Sequence, residues 1–520
     1  MTASQHNSDL YNAAVYFVDR HLEEGRGDKV AIRCRGKEFR YRDLAEGVNR
    51  FGNALVSLGV RMEERVALLM LDTEYFPQAF FGAIKTGAVP ICLNTLMRPK
   101  DYAYFLNDSR ARVLVVDDSL YENIQAVEDE LKFLGQIIRV NSKEMKAGTL
   151  IYDDLVRDES PQLDPAPTCS DDACFWLYSS GSTGLPKGTV HLQHDMQYCA
   201  DTYGKQVLGI REDDVCFSAA KLFFAYGLGN GLYFPLSVGA TTVLMPDRPT
   251  PDSVFGTIAE YGPSLFFGVP TLYGAMLAEP GKMDGVRLCI SAGEALPADI
   301  FHRWKEMFKL DILDGIGSTE VAHIYISNRV DAIRPGSTGQ MVPGYEARIV
   351  DGDLADLPQG EIGTLLVKGD STSPYYWNKH QKTKFSMMGE WFNTDDKFFQ
   401  DEDGFFHYVG RSDDMLKVGG IWVSPIEVEG CIISHPAVLE CAVVPGRDKE
   451  NLVKPSAYVV LNQGIDPTDE LETEIKSYVK KTLAHYKYPR WVRFVSDLPK
   501  TATGKVKRFE LKHAEEQCRP

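Results

Sequence analysis

Short apolar runs alternate with helically spaced ones from about residue 28 to residue 330, and this rhythm constrains the fold more than any other feature of the chain. RVALLML (65–71) reads as a buried strand, EYFPQAFFGAIKTG (74–87) as a helix ending at a glycine, and AVPICLN (88–94) as the next strand. DYAYFLNDS (101–109) and ARVLVVDD (111–118) repeat the helix and strand. A strand that returns through a helix runs parallel to its predecessor, so this part must build parallel sheet covered by helices on both faces. The pattern changes near residue 336. TLLVKGD, FFHYVGR and the glycine-rich turns between them predict antiparallel strands up to residue 411. Beyond Arg411 a small α+β unit is expected. SPIEVEGCIISH and TDELETEIKSYVKKTLA read as helices, LECAVVPG and SAYVVL as strands. Thr468 is the expected N-cap of the second helix, with Asp469 and Glu470 in the first turn, where the helix dipole favours negative charge. The junction is placed at RSDD, 411–414.

Length allows two to four domains in 520 residues, and 44% hydrophobic content is enough for several cores. The 26 Phe, 24 Tyr and 6 Trp exclude wholesale disorder. The longest apolar run, Val66 to Leu71, is far short of the ~18–20 residues that a membrane span needs. No basic-then-apolar leader opens the sequence, so a cytoplasmic protein is expected. The ten cysteines are scattered without a CxxC pair, which reads as reduced thiols. His191 and His194 form an HxxH without the glutamate of a metalloprotease helix. Net charge is 56 − 73 = −17, which disfavours nucleic acid and anionic membrane as partners. Residues 411–520 nevertheless carry 17 basic and 16 acidic side chains, with Lys481, Lys487, Arg490, Arg493, Lys500, Lys505, Lys507 and Arg508 against Asp497 alone in 481–508. That cluster is either a solvated face or a surface that meets a polyanionic small molecule.

The strongest local signal is ACFWLYSSGSTGLPKGTVH (173–191). An apolar strand runs into ten residues holding three glycines, three serines, a threonine and a lysine, and a helix is expected to begin near Val190. Glycines permit close backbone approach to a phosphate, hydroxyls and amides donate to it, and Lys187 supplies charge. Lys187 is followed by Gly188 rather than directly by Ser or Thr, so the Walker pattern is not met.

This loop resembles the phosphate loop of the adenylate-forming superfamily, which includes acyl- and aryl-CoA ligases, nonribosomal adenylation domains and beetle luciferases. DGIGSTE (314–320), EWFNTDD (390–396), YVGRSDDMLKVGG (408–420) and PKTATGK (499–505) resemble its further motifs, in the same order. The resemblance implies an α/β fold. A large N-terminal domain (1–412) of stacked α/β subdomains with a β-rich subdomain would be followed by a small mobile α+β C-terminal domain (413–520), turning at a hinge on Asp413. It implies ATP, Mg²⁺ and coenzyme A as reactants. A carboxylate attacks the α-phosphate, and a thiol then displaces AMP.

By the same resemblance, Lys505 bridges the carboxylate and the α-phosphate, where two anions must meet. Thr319 contacts phosphate. Glu320, with Thr183, serves Mg²⁺, an ion that needs few carboxylates. Ser179, Ser180, Gly181, Ser182, Thr183, Gly184 and Lys187 cradle the phosphates. Asp314, Gly315 and Ile316 flank adenine, with Ala292, Gly293 and Glu294 covering its other face; the family commonly has an aromatic residue where Ile316 stands. Asp396 accepts the ribose hydroxyls with Arg411 beside it, although Asp395 occupies a place usually held by glycine. Gly419 and Gly420 line the pantetheine tunnel.

KLFFAYGLGNG (221–231) resembles the acid-binding segment, and more narrowly that of benzoate and hydroxybenzoate CoA ligases. Phe224, Ala225, Tyr226, Gly317 and His323 would then enclose an aromatic acid, with the small Val321 and Ala322 leaving room for a ring hydroxyl or amino group. The expected function is an AMP-forming benzoate-type CoA ligase. An alicyclic acid–CoA ligase, a carrier-loading adenylation enzyme, a luciferase-type oxygenase and a catalytically silent nucleotide-binding module are the alternatives. A homodimer, and a lysine acetyltransferase and deacetylase acting on Lys505, complete the expected partners.

Overall fold

The computed structural model describes residues 10–181, 184–411, 414–418, 421–449, 452–500 and 506–517. Two large mixed sheets organise residues up to Met341, with Tyr375–Tyr376 added at one edge. In the first, the order is Tyr375–Tyr376, Gly184–Leu192, Ala173–Gly181, Val89–Cys92, Arg65–Leu69, Val113–Asp117, Gln136–Val140 and Thr149–Ile151. The strands from Val89–Cys92 onward are parallel, as the alternation requires, with Tyr75–Lys85 and Pro99–Ser109 as crossover helices. Val89–Cys92 and Val113–Asp117 are buried along their whole length and, Asp117 apart, apolar, as expected where both faces are covered.

The second sheet has nine strands. A parallel centre, Ile312–Gly317, Leu288–Ser291, Leu265–Gly268, Val215–Ser218, Thr241–Leu244 and Val30–Cys34, is flanked by antiparallel edges. One continuous core joins the two sheets. It holds Phe17, Phe51, Phe80, Phe175, Tyr203, Tyr233 and Phe234. Glu346–Val350, Gly363–Lys368, Met387–Met388, Trp391–Gln400 and Phe406–Arg411 form the antiparallel sheet that the motif pattern predicts.

After Arg411 a separate core is built from Leu416, Val428, Ile432, Val443, Val459, Ile475 and Val479. Pro425–Ile433 and Asp469–Thr482 are helices, and Val438–Arg447, Val453–Leu461 and Trp491–Phe494 form a three-stranded sheet. Thr468 caps the second helix by accepting from the Leu471 N–H at 3.1 Å. No helix among the described residues is long and apolar enough to cross a membrane.

One sequence expectation is overturned. Val190 does not begin a helix. It lies inside Gly184–Leu192, paired antiparallel with Ala173–Gly181, and the helix starts at Asp195. The segment read as a phosphate loop thus runs through both strands of a hairpin. β-Branched Thr189 and Val190 suit that strand, where both are fully buried and paired on the other side with Tyr375–Tyr376.

Candidate active site

The hairpin register sets Ser179 opposite Lys187, so both side chains leave neighbouring strands at the same height. They converge on Glu320, in the short 3₁₀ turn Thr319–Val321 that succeeds the strand Ile312–Gly317. Ser179 Oγ donates to Glu320 Oε1 at 3.1 Å, and the Tyr376 hydroxyl donates to the same oxygen at 2.8 Å. Lys187 Nζ lies 3.5 Å from that oxygen and 4.3 Å from the centre of the Tyr376 ring. Burial opposes charge on Glu320, yet Lys187, Tyr376 and Ser179 outweigh it and hold the carboxyl below its ordinary range. A buried, ionised carboxylate beside this hairpin meets the chemistry of a hard divalent cation. Among the described residues no three His, Cys, Asp or Glu cluster as metal ligands. Such an ion would have to take most of its ligands from phosphate and water.

Thr319 is held from below. His191 Nε2 donates to the Thr319 carbonyl at 2.7 Å, and His191 Nδ1 donates to Asp195 Oδ2 at 2.7 Å. His194 bonds elsewhere, to the carbonyls of Ser170 and Asp370, and the HxxH is not a metal pair.

The strands Leu288–Ser291 and Ile312–Gly317 are adjacent and parallel, with Ser291 opposite Asp314. Ala292, Gly293 and Glu294 continue from the first, while Gly315, Ile316 and Gly317 end the second. The two predicted adenine walls therefore leave the carboxyl ends of neighbouring strands, the usual place for a ligand in such sheets. Asp314 is buried. Its Oδ2 accepts the Leu296 N–H at 3.3 Å, whereas Oδ1 has no partner among the described residues, and burial pushes its carboxyl well up. Gly317 permits a close approach, since a Cβ there would stand 2.4 Å from the His323 carbonyl oxygen.

Asp396 sits on Trp391–Gln400 directly opposite Arg411, whose Nε is 3.6 Å from Asp396 Oδ1. Asp395 adopts φ +64, the left-handed conformation that a glycine would take freely. The turn survives because Asn393 Oδ1 accepts the Asp395 N–H (3.0 Å) and Thr394 Oγ1 accepts the Asp396 N–H (3.1 Å).

Phe224 precedes the helical turn Ala225–Leu228, and Phe224, Ala225 and Tyr226 all remain partly exposed. The Tyr226 hydroxyl lies 3.1 Å from the carbonyls of both Gly268 and Ile290, which fixes the ring against the second sheet. His323 Nε2 donates to the Tyr226 carbonyl at 3.3 Å. The imidazole is enclosed by Tyr203, Tyr226, Tyr233 and Phe234, with Gly229 so near that a Cβ would meet the ring at 2.3 Å. Burial pushes His323 down to about 3, so it is neutral, and its Nδ1 has no partner among the described residues.

The Val506 N–H donates to Glu294 Oε1 at 3.3 Å, which brings the segment adjoining Lys505 against the Ala292–Glu294 loop. Lys505, Ser182, Thr183, Asp413, Gly419 and Gly420 lie outside the described residues, as do the side chains of Ser180, Gly181 and Gly184. Two contributors carry no signal of this role in the sequence. Tyr376 belongs to no motif, and the HxxH spacing suggests for His191 only a metal role.

Two sheets that deliver a hydroxyl- and lysine-bearing hairpin, an ionised glutamate and two strand-end loops to one cleft define an adenylate-forming enzyme. The chain belongs to the AMP-binding enzyme family, whose model matches residues 18–377, with the AMP-binding enzyme C-terminal domain matching 427–505. It is 50% identical over 513 residues to the benzoate–CoA ligase of Thauera aromatica, covering 97% of this chain and 96% of that one. It is 46% identical over 509 residues to the 4-hydroxybenzoate–CoA/benzoate–CoA ligase of Rhodopseudomonas palustris, covering 96% and 94%. An anthranilate–CoA ligase solved with anthranoyl-AMP superposes with a TM-score of 0.95 at 43% identity, covering 99% of both chains.

Proposed function

We propose that this chain is an AMP-forming aryl-CoA ligase acting on benzoate or a hydroxy- or aminobenzoate. The observation that carries this reading is the pairing of an ionised, buried Glu320 at the phosphate hairpin with an apolar acid segment walled by Phe224, Tyr226 and a neutral His323. Full-length relatives at 46–50% identity act on such acids, as their names state.

In the first half-reaction the acid carboxylate attacks the α-phosphate of ATP. Two anions approach, and the barrier falls where positive charge and donors are already aimed at them. Lys187 and Ser179 serve the phosphates from the hairpin, and Lys505 brings its ammonium from the lid. Thr319 is held for phosphate contact by His191. Glu320 and Thr183 would hold Mg²⁺, which when bound neutralises phosphate charge. Asp396, with Arg411 beside it, accepts the ribose diol. The unpartnered Asp314 Oδ1 offers a buried polar atom at the adenine end. In the second half-reaction residues 413–520 turn about Asp413, Lys505 withdraws, and Gly419 and Gly420 admit the pantetheine thiol, which expels AMP.

The neutral His323, whose Nδ1 has no partner among the described residues, favours a ring that carries a hydrogen-bond donor. The test is a panel of benzoate, its 2-, 3- and 4-hydroxy and amino derivatives, and alicyclic acids, scored as thioester product with and without coenzyme A. Thioester from benzoate-type acids, with the substituted acids within a hundredfold of benzoate in kcat/KM, is expected. AMP release that ignores coenzyme A, or preference for alicyclic acids, refutes the reading.

A further inference from the structure

The segment that carries Phe224, Ala225 and Tyr226 is anchored at its root by a buried ion pair that no motif marks. Asp72 lies just beyond the strand Arg65–Leu69 of the first sheet and is 3% exposed. Its Oδ1 accepts the Leu222 N–H at 3.2 Å, and its Oδ2 is 3.9 Å from Lys221 Nζ. Lys221 Nζ also donates to the carbonyls of Met245 and Asp247, just past the strand Thr241–Leu244 of the second sheet. Two consecutive residues thus tie together strand ends from both large sheets.

The acid segment is bonded directly to this anchor. The Phe224 N–H donates to the Lys221 carbonyl at 3.0 Å, and the Leu228 N–H to the Phe224 carbonyl at 2.7 Å. Gly227 is folded so tightly onto this root that a Cβ would stand 2.0 Å from the Lys221 oxygen. The far end of the wall is fixed by Tyr226 against Gly268 and Ile290. A buried ion pair adds little net stability over apolar side chains of the same volume, so its value here is geometric. Burial pushes the Asp72 carboxyl up to about 6 even though Lys221 and the Leu222 amide oppose it, which shows how closed the site is.

We propose that Asp72 and Lys221 are positioning residues for the aryl acid, fixing the Phe224–Tyr226 wall against His323. The proposal rests on reading that wall as the acid site. The experiment compares wild-type enzyme with Asp72→Asn, which keeps an acceptor for Leu222, with Lys221→Gln, which keeps donors for the two carbonyls, and with the double variant. Initial rates are measured separately in acid, ATP and coenzyme A. The expected result is a KM for the acid raised about tenfold in each single variant, a KM for ATP within twofold of wild type, and a double variant no worse than either single one. Equal rises in both KM values, an unchanged KM for the acid, additive losses, or failure of both single variants to fold would mean a general structural role and overturn the proposal. If only one folds, its KM split decides. A wild type that makes no thioester from any aryl acid overturns the function as well, whereas an active wild type with no split overturns the positioning role alone.

Discussion

At the scale of single residues the site turns on how Glu320 stays charged while 8% exposed. Its ionised form is sustained by three donors, two of them hydroxyls. Tyr376→Phe removes one bond to a charged group, worth about 1.5–3 kcal/mol. The pyrophosphate-exchange rate should fall about 10- to 100-fold, and the denaturant midpoint should fall too, because the lost bond also stabilises the fold. An unaltered exchange rate would exclude Tyr376 from the site. Glu320 and Thr319 were legible from DGIGSTE, but Tyr376 lies 56 residues further on, in a two-residue edge strand whose neighbour only the fold supplies. Two buried histidines contribute to the loss of stability in acid. Burial lowers His323 to about 3 and His21 to about 4 from 6.5. Their folded values lie below the unfolded one, so this stability is complete above about pH 6.5 and drains away as the pH falls toward 4 and 3. At pH 5 the two together should cost about 4 kcal/mol. Urea midpoints measured from pH 7.5 to 5 should drop accordingly, and a flat series would show that neither ring is neutral in the folded state.

At the scale of elements, periodicity identified the crossover helices and buried strands, because apolar spacing reports burial directly. It failed at Val190, where glycine-rich sequence next to β-branched residues looks like a loop entering a helix and is the return strand of a hairpin. Strand pairing across a turn is not written in either strand alone. The same holds at Asp395, whose left-handed backbone is kept by Asn393 and Thr394 side chains rather than by a glycine. Gly317 has no such substitute. In Gly317→Ala the new methyl would fall 2.4 Å from the His323 carbonyl and force Ile312–Gly317 away from Ile324–Ser327. A destabilisation of about 1–3 kcal/mol is expected, with loss of adenylation because Thr319 and Glu320 come directly after this strand. Full activity with wild-type stability would show that the two strands can separate freely.

At the scale of the molecule, the basic cluster at 481–508 belongs to the unit with its own core. Arg508 pairs with Glu429 and lies 3.9 Å from Asp414, while Lys512 reaches Asp414 at 2.6 Å. The helix after the PKTATGK motif is thereby tied to the residue next to Asp413. Val506 meets Glu294, so the C-terminal unit touches the loop expected to cover adenine. Lys505→Ala should lower pyrophosphate exchange by several hundredfold or more, while thioester formation from preformed aryl-adenylate stays within a fewfold of wild type. Equal losses in both half-reactions would argue against a lid that withdraws. Acetylation of Lys505, which also removes its charge, should reproduce the same split.

The sequence by itself determined the alternating strands and helices of residues 65–118, the antiparallel strands up to Arg411, the small C-terminal unit and the motifs that resemble those of its family. Each of these is local, set by spacing, turn residues and charge within a few dozen positions. Only the tertiary structure decided which side chains share an oxygen, as Ser179, Lys187 and Tyr376 do at Glu320, and which ion pair roots the acid segment, as Asp72 does with Lys221. Those contacts join residues 56 to 149 positions apart, and their partners are chosen by sheet order and register, which no single stretch of chain encodes.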